Sequence, residues 1–129
     1  LEVFGNDWPT PDGSCVRDFI HVMDLAEGHQ AALDVLLKEE PQLLTLNLGS
    51  GQGHSVLEVV QAFEAATGMP VPYKISRRRQ GDAACTVADP SLAAKRLGWH
   101  TQRDLIEICR DGWRWQQSNP NGYDKKRSS

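Results

Sequence analysis

Three consecutive arginines, followed by a glycine and a carboxylate, form the stretch of this chain best suited to binding chemistry. The run 77–79 follows an apolar segment and precedes Gly81 and Asp82. A guanidinium offers several donors in a planar fork, which suits phosphate oxygens, and a carboxylate accepts hydrogen bonds from sugar hydroxyls. Arg17 lies in a polar turn region far back in the chain. We predict that the fold brings Arg17 and the Arg79–Asp82 pair to one diphosphate-bearing ligand.

Composition limits the kinds of partner to expect. The 129 residues suffice for one domain with a modest core, and the contents of 40% hydrophobic and 24% charged residues are ordinary for a globular protein. The formal net charge of -3 disfavours general nucleic-acid binding, so the arginine run is a local feature. The sequence has no long apolar run and no basic-then-apolar leader, so we expect no membrane association.

The cysteines predict reduced thiols. Cys15, Cys85 and Cys109 are odd in number and form no C-x-x-C motif, which favours neither a disulfide framework nor a zinc site. Reduced thiols are typical of the cytoplasm, where we expect the protein to reside. The four histidines also lack the spacing of metal ligands and are interpreted as structural or surface residues.

Apolar residues recur with the spacing of short strands and amphipathic helices. The run 43–48 is the most continuous of them and predicts the best strand. Asp24 is expected to cap the first helix or to lie in its first turn. The predicted strands are 1–4, 16–22, 43–48 and 70–75, and the predicted helices are 24–38, 91–97, one between 55 and 68, and one between 104 and 119.

These elements predict a small mixed α/β domain that ends in helices. The strands 43–48 and 70–75, with the helix between them, are typical of a parallel β-α-β unit with a right-handed crossover. The glycines at 49, 51 and 53 lie at the strand-to-helix turn of this unit, as in a dinucleotide fingerprint. The third fingerprint glycine would fall at His54, however, and the unit is not repeated, so we favour a tight turn over a cofactor site.

The arginine-rich stretch also has an ordinary interpretation. Runs of charge are usually solvated surface, and the neighbouring Asp18 gives Arg17 a simple ion-pair partner. Two features favour a ligand instead. The run follows an apolar strand, where α/β sheets place ligands, and Gly81 and Asp82 follow it instead of further basic residues.

Several segments together resemble one known family. They follow the order and spacing of the signature of UDP-glucose 4-epimerases, which are extended short-chain dehydrogenases, and they extend through most of the chain to Tyr123. The matching segments are 3–13, 16–26, 47–51, 78–82, 97–99 and 113–116.

The resemblance implies the substrate-binding lobe of such an enzyme, without the Rossmann domain that holds NAD. The family's catalytic Tyr-x-x-x-Lys set is missing, because arginines stand four residues after Tyr73 and Tyr123. By this resemblance the parent enzyme uses NAD and this chain binds none. The sequence also begins within a predicted strand, so we expect a piece of a longer protein. We assign residues 1–123 to the UDP-sugar-binding domain and 124–129 to a disordered tail.

The resemblance also assigns roles to individual residues. Val3 and Phe4 match positions at the uridine end of the substrate. Arg17 and Arg79 match the two arginines that hold the diphosphate, and Asp82 matches the carboxylate that binds the ribose hydroxyls. This agrees with the physical interpretation of two cations for two phosphates and one acceptor for a diol.

Two positions depart from the family pattern. Cys15 replaces the usual glycine just before the strand that carries Arg17. Thr86 stands beside the expected sugar position, where family members carry tyrosine or cysteine. Our hypothesis is that Thr86 leaves room for an N-acetyl group on the second carbon of the sugar.

The function implied is C4 epimerisation of UDP-glucose and UDP-galactose in galactose metabolism. A tyrosinate removes the hydroxyl proton, hydride passes to NAD, and it returns to the other face of the keto sugar. We expect the 129-residue chain alone to be inactive, and its partners to be a UDP-sugar and the missing Rossmann domain. A homodimer of the parent is compatible with the resemblance. The alternatives are the C-terminal lobe of another nucleotide-sugar dehydratase or decarboxylase, and a non-catalytic sugar-nucleotide-binding module.

Overall fold

The computed structural model describes residues 1–123, and the predicted tail at 124–129 lies outside them. Five short strands and four helices alternate irregularly along this part of the chain. In order they are β1 (Glu2–Phe4), β2 (Val16–Asp18), α1 (Val22–Lys38), β3 (Gly53–Ser55), α2 (Val56–Thr67), β4 (Lys74–Ser76), β5 (Cys85–Thr86), α3 (Ser91–Leu97) and α4 (Leu105–Ser118).

The strands form two small sheets. One contains β1 and β4, which run parallel, and the other has the order β3-β2-β5. In the second sheet β2 is antiparallel to β3 and parallel to β5. The predicted class, a small mixed α/β domain that ends in helices, is therefore confirmed.

The particular β-α-β unit that we predicted is wrong. Residues 43–48 form no strand, and the strands on either side of α2 belong to different sheets. The segment keeps the alternation of a strand, because its even-numbered residues are half-buried and its odd-numbered residues are exposed, with Leu43 94% exposed. Its backbone makes no hydrogen bond within residues 1–123, so a strand-like sequence has no strand partner there.

Three element boundaries also differ from the predictions. The second strand ends at Asp18, and β4 begins only at Lys74. Helix α1 begins at Val22, because the ring Nδ1 of His21 accepts a hydrogen bond from the backbone N–H of Met23 and so caps the helix. Asp24 then takes the second role expected of it, as an acid in the first turn.

The core forms where α2 packs against α4. The rings of Phe63 and Trp113 meet edge to face with their centroids 5.8 Å apart. Both helices begin with a capping box. The side chain of the cap residue accepts a hydrogen bond from the backbone N–H of the third helical residue, and the side chain of that third residue accepts one from the backbone N–H of the cap. Ser55 and Glu58 form the box of α2, and Asp104 and Glu107 form that of α4.

Helix α1 joins this core through a buried carboxylate. Asp24 is fully buried and accepts hydrogen bonds from the backbone N–H groups of Gln102 and Arg103. The guanidinium of Arg103 bonds both Asp24 and Glu27, and these carboxylates, Glu27 first, raise the pKa of Arg103. The start of α4 is therefore fixed to the first two turns of α1.

Candidate functional site

Arg79 lies between an aromatic ring and a carboxylate. Its Nε and one terminal nitrogen donate to the two carboxylate oxygens of Asp82, at 3.1 and 3.3 Å. The guanidinium also lies over the ring of Phe4, 4.4 Å from the centroid. Arg79 is 61% exposed while Asp82 is only 18% exposed, so the cation faces outward above its partner. The structure brings these three predicted residues together.

The other two arginines of the run differ from Arg79. The Nε of Arg78 donates to the carboxylate of Asp7 at 2.7 Å, and its guanidinium lies 3.9 Å from the centroid of the Trp8 ring. Within the described residues, Arg77 forms no ion pair. The run is therefore not a uniform basic strip, because two of its three charges already have carboxylate partners.

Arg17 and Thr86 are direct neighbours on the second sheet. The parallel register of β2 and β5 pairs them, so both side chains project from the same face. They line one cleft with Ile20, Asn47 and others. One terminal nitrogen of Arg17 donates to the carbonyl of Val16 at 2.8 Å, and no carboxylate of residues 1–123 pairs with this guanidinium.

A backbone hydrogen bond places the Arg17–Thr86 pair close to the segment that carries Asp82. The N–H of Val16, one residue before Arg17, donates to the carbonyl of Ala84 at 2.8 Å. Asp82 is two residues before Ala84, a span of at most about 7 Å. The cleft of Arg17 does not include Arg79 in its lining, however, so a shared diphosphate pocket stays a prediction.

Val3 is a core residue, and His54 is a neighbour of Arg17 in the second sheet. Val3 is 1% exposed and pairs with Ile75, so its side chain belongs to the core and only its backbone is left for contact with a uridine. His54 was expected to be structural or on the surface. It lies opposite Arg17 in the β2–β3 register, half-buried and on the same face as Arg17 and Thr86. Register, which the sequence did not reveal, identifies this neighbour.

The glycine-rich turn encloses a carboxylate of the protein itself. Asp18 accepts hydrogen bonds from the backbone N–H and the hydroxyl of Ser50, at 3.0 and 2.5 Å, and from the N–H of Gly51 at 3.0 Å. The N–H of Ala88 donates to it at 3.3 Å. A Cβ on Gly49 would lie 2.7 Å from a carboxylate oxygen of Asp18, so glycine is required there.

This arrangement settles two interpretations of the sequence. Asp18 is not the ion-pair partner of Arg17, because its oxygens face the glycine turn. Burial by itself would raise the pKa of Asp18, but the hydrogen bonds from Ser50, Gly51 and Ala88 outweigh it and lower the pKa. The glycines lie in a turn around the carboxylate of Asp18, an acceptor that the sequence does not reveal.

A second carboxylate, that of Asp12, accepts a similar set of hydrogen bonds. Asp12 accepts hydrogen bonds from the backbone N–H and hydroxyl of Ser14, at 2.9 and 2.8 Å, and from the hydroxyl of Ser55. Burial acts to raise the pKa of Asp12, but these hydrogen bonds lower it overall.

Within residues 1–123, no cluster of three or more histidine, cysteine or acidic side chains is arranged to hold a metal. No helix of that part is both long and apolar enough to cross a membrane.

No protein-family model matches the chain, but individual proteins do. A UDP-glucose 4-epimerase of Neisseria meningitidis serogroup C is 57% identical over 124 residues, which are 96% of this chain and 36% of that protein. The chain is related to the C-terminal part of UDP-glucose 4-epimerases. It spans about a third of the length of the curated relatives it matches.

Crystal structures of UDP-glucose 4-epimerases have the same fold in this part. The enzyme of Stenotrophomonas maltophila, with bound NAD and formylated UDP-arabinopyranose, gives a TM-score of 0.88 at 53% identity over 92% of this chain and 35% of that one. The enzyme of Bifidobacterium longum, in complex with NAD+ and UDP, gives a TM-score of 0.89 at 46% identity. The match covers 95% of this chain and 36% of that one. The described residues correspond to the C-terminal lobe of the epimerases, without a Rossmann domain.

Proposed function

We propose that this chain is the UDP-sugar-binding part of an NAD-dependent UDP-glucose 4-epimerase, which interconverts UDP-glucose and UDP-galactose. The sequence identity of 57% to a UDP-glucose 4-epimerase, over nearly the whole chain, carries this proposal. The geometry supports it, because Phe4, Arg79 and Asp82 form one group, and Arg17 and Thr86 form a second group nearby.

The two groups suit the parts of a nucleotide sugar. Each arginine takes one phosphate, and the guanidinium of Arg17 needs no carboxylate displaced before it binds. Asp82 keeps spare acceptor capacity while it pairs with Arg79, because an ionised carboxylate has about four lone-pair sites. It therefore accepts the ribose hydroxyls without losing its arginine. Thr86, beside Arg17, then lies towards the sugar.

Binding of this kind contributes to the reaction by orientation. The keto sugar must turn over between the two hydride transfers, while the rest of the substrate stays in place. Two arginines on separate elements hold the diphosphate at two points. The nucleotide is then fixed and only the sugar moves.

We propose that NAD is held outside these residues. A pyrophosphate would need hydrogen bonds from the backbone N–H groups of the glycine turn, and the carboxylate of Asp18 already accepts the hydrogen bonds of Ser50 and Gly51. A second anion would also be repelled by Asp18. The relatives crystallised with NAD are about three times the length of this chain, which agrees with a cofactor site elsewhere in the whole protein.

The remaining polypeptide of the whole protein is the partner that we propose for α1. Gly28 on one face of this helix packs against Trp99 and Leu48. The opposite face is apolar and has no cover within residues 1–123. Its exposed residues include Val22, Leu33, Leu36 and Leu37. A helix that is apolar on both faces is typical of an element between two layers.

The segment 43–48 is a second candidate for contact with the rest of the whole protein. Its backbone is unpaired within residues 1–123, and Leu43 is exposed. Unpaired strand edges add readily to a sheet. We propose that this segment pairs with a strand of the missing Rossmann domain, while the exposed face of α1 packs on that sheet.

The proposed function is tested by comparing the whole-length protein with the 129-residue chain. We expect the whole-length protein to convert UDP-galactose to UDP-glucose in a coupled assay, and the chain alone to show no NAD-linked turnover. Turnover by the purified chain would overturn the proposed division of labour. A whole-length protein that removes water or carbon dioxide from a UDP-sugar would support the dehydratase or decarboxylase alternative, and one that binds UDP-sugars without turnover would support a binding module.

The size of Thr86 is proposed to set sugar specificity. Its small side chain beside Arg17 leaves room for an N-acetyl group on the substrate. We expect Thr86→Tyr in the whole-length protein to lower turnover of UDP-N-acetylglucosamine much more than that of UDP-glucose. An unchanged preference between the two sugars would end this hypothesis.

The cytoplasm is the proposed location. All three cysteines are free, and Cys85 is exposed, which suits a reducing compartment. Export of the whole-length protein in cell fractionation would contradict this.

A further inference from the structure

We propose that Asp18 is a positioning residue, whose carboxylate holds together the walls of the cleft that contains Arg17 and Thr86. This inference rests on the proposed function. The carboxylate acts through its neighbours, because its oxygens already accept hydrogen bonds from Ser50, Gly51 and Ala88.

Three chain segments meet at this carboxylate. Asp18 directly follows Arg17 on β2, and Ala88, whose N–H it accepts, lies two residues after Thr86. Ser50 and Gly51 donate from the glycine turn. That turn directly follows Asn47 and Leu48, which line the same cleft.

Strand β5 has particular need of such a fixed point. It consists of two residues, Cys85 and Thr86, and within residues 1–123 it pairs only with β2. A strand this short has few ladder hydrogen bonds to hold it. The bond from Ala88 to Asp18 ties the chain to β2 just beyond the point where pairing ends. Without it, Thr86 and the segment that follows are free to move away from Arg17.

The loss of Asp18 should therefore affect substrate affinity more than the chemical step. In the whole-length protein, we expect Asp18→Ala to raise KM for UDP-glucose about tenfold and to leave kcat within about twofold. Asp18→Asn keeps the shape and one acceptor oxygen, so we expect partial rescue, with KM raised about threefold. A merely structural role would lower the folded fraction, which reduces apparent kcat and leaves KM unchanged.

Asp12 supplies a matched control. It is a carboxylate with a similar set of hydrogen bonds, but these join the turn before β2 to the cap of α2. We expect Asp12→Asn to lower the midpoint of thermal unfolding and to leave KM within twofold. Where Asp18→Ala does not fold, Asp18→Asn carries the comparison.

The outcomes separate this inference from the proposed function. Unchanged KM in Asp18→Asn, or an equal rise in KM in Asp12→Asn, would overturn the role of Asp18 while the wild type still epimerises. A wild type without epimerase activity or UDP-glucose binding would overturn the proposed function itself, and the inference with it.

Discussion

At the scale of single residues, the partners of each arginine distinguish members of one charged run. Arg78 is held by Asp7 and Trp8, and Arg79 by Asp82 and Phe4. Arg77 makes neither kind of contact within the described residues. The sequence places these charges side by side, and only the folded positions of β1 and the loop after it give them different roles.

The first prediction compares neighbours in this run. In the whole-length protein, Arg79→Ala should weaken UDP binding about tenfold or more, because hydrogen bonds to charged groups contribute roughly 1.5–3 kcal/mol. Arg77→Ala removes the same charge from the next-but-one position and should change the Kd less than about twofold. Isothermal titration with UDP measures both. Equal losses would mean that net charge, and not the position of Arg79, governs binding.

The second prediction concerns the pH dependence of stability at Asp18. Its folded pKa is lowered, so its ionised form stabilises the fold above the ordinary carboxyl pKa of about 3.9, and that contribution disappears as the pH falls through the folded value. The difference in free energy of unfolding between wild type and Asp18→Asn should therefore be largest near pH 7 and should decrease as the pH falls below the ordinary carboxyl pKa. Urea titrations give this difference. The control variant Asp34→Asn, at an exposed position of α1, should leave the free energy of unfolding nearly unchanged at every pH. A difference for Asp18→Asn that stays constant with pH would contradict the prediction.

At the scale of elements, helix boundaries were more predictable than strand pairings. The capping box at Ser55 and the glycine stops at Gly68 and Gly98 are local signals, and the structure has both stops in the left-handed conformation. Which strands pair depends on distant parts of the chain. The antiparallel partner of β2 is a three-residue strand at Gly53–Ser55, inside what the sequence presented as a turn. The role of Asp18 was missed for the same reason, because its donors lie over thirty residues away.

The start of α2 gives the third prediction. The hydroxyl of Ser55 accepts the N–H of Glu58 at 3.0 Å and donates to Asp12, and the residue is buried. Ser55→Ala removes the cap and leaves a carboxylate without its donor, so it should lower the free energy of unfolding by roughly 1–3 kcal/mol. Ser118→Ala, which removes an exposed hydroxyl bonded to the carbonyl of Arg114, should cost less than about 0.5 kcal/mol. Similar losses from chemical denaturation of both variants would argue against a buried cap.

At the scale of the whole molecule, two misplaced expectations have one explanation. The sequence predicted the best strand at 43–48, and the structure leaves that segment unpaired. It also predicted an amphipathic α1, and the structure leaves a second apolar face exposed, with Leu37 76% exposed. Both features agree with the proposed contact between residues 1–123 and further polypeptide of the whole protein. The curated relatives that the chain matches are about three times its length.

The last prediction measures that missing contact by hydrogen exchange. In the 129-residue chain the amides of 43–48 should exchange rapidly, because they have no acceptor, whereas in the whole-length protein they should be protected at least a hundredfold. Leu37→Lys in the whole-length protein should reduce this protection by placing a charge on the face of α1 that we propose packs on the rest of the protein. Met69→Lys, at an exposed apolar position outside this surface, should leave it unchanged. Protection that rises with the concentration of the chain alone would identify a second copy as the partner, and rapid exchange in the whole-length protein would remove the strand pairing from the proposal.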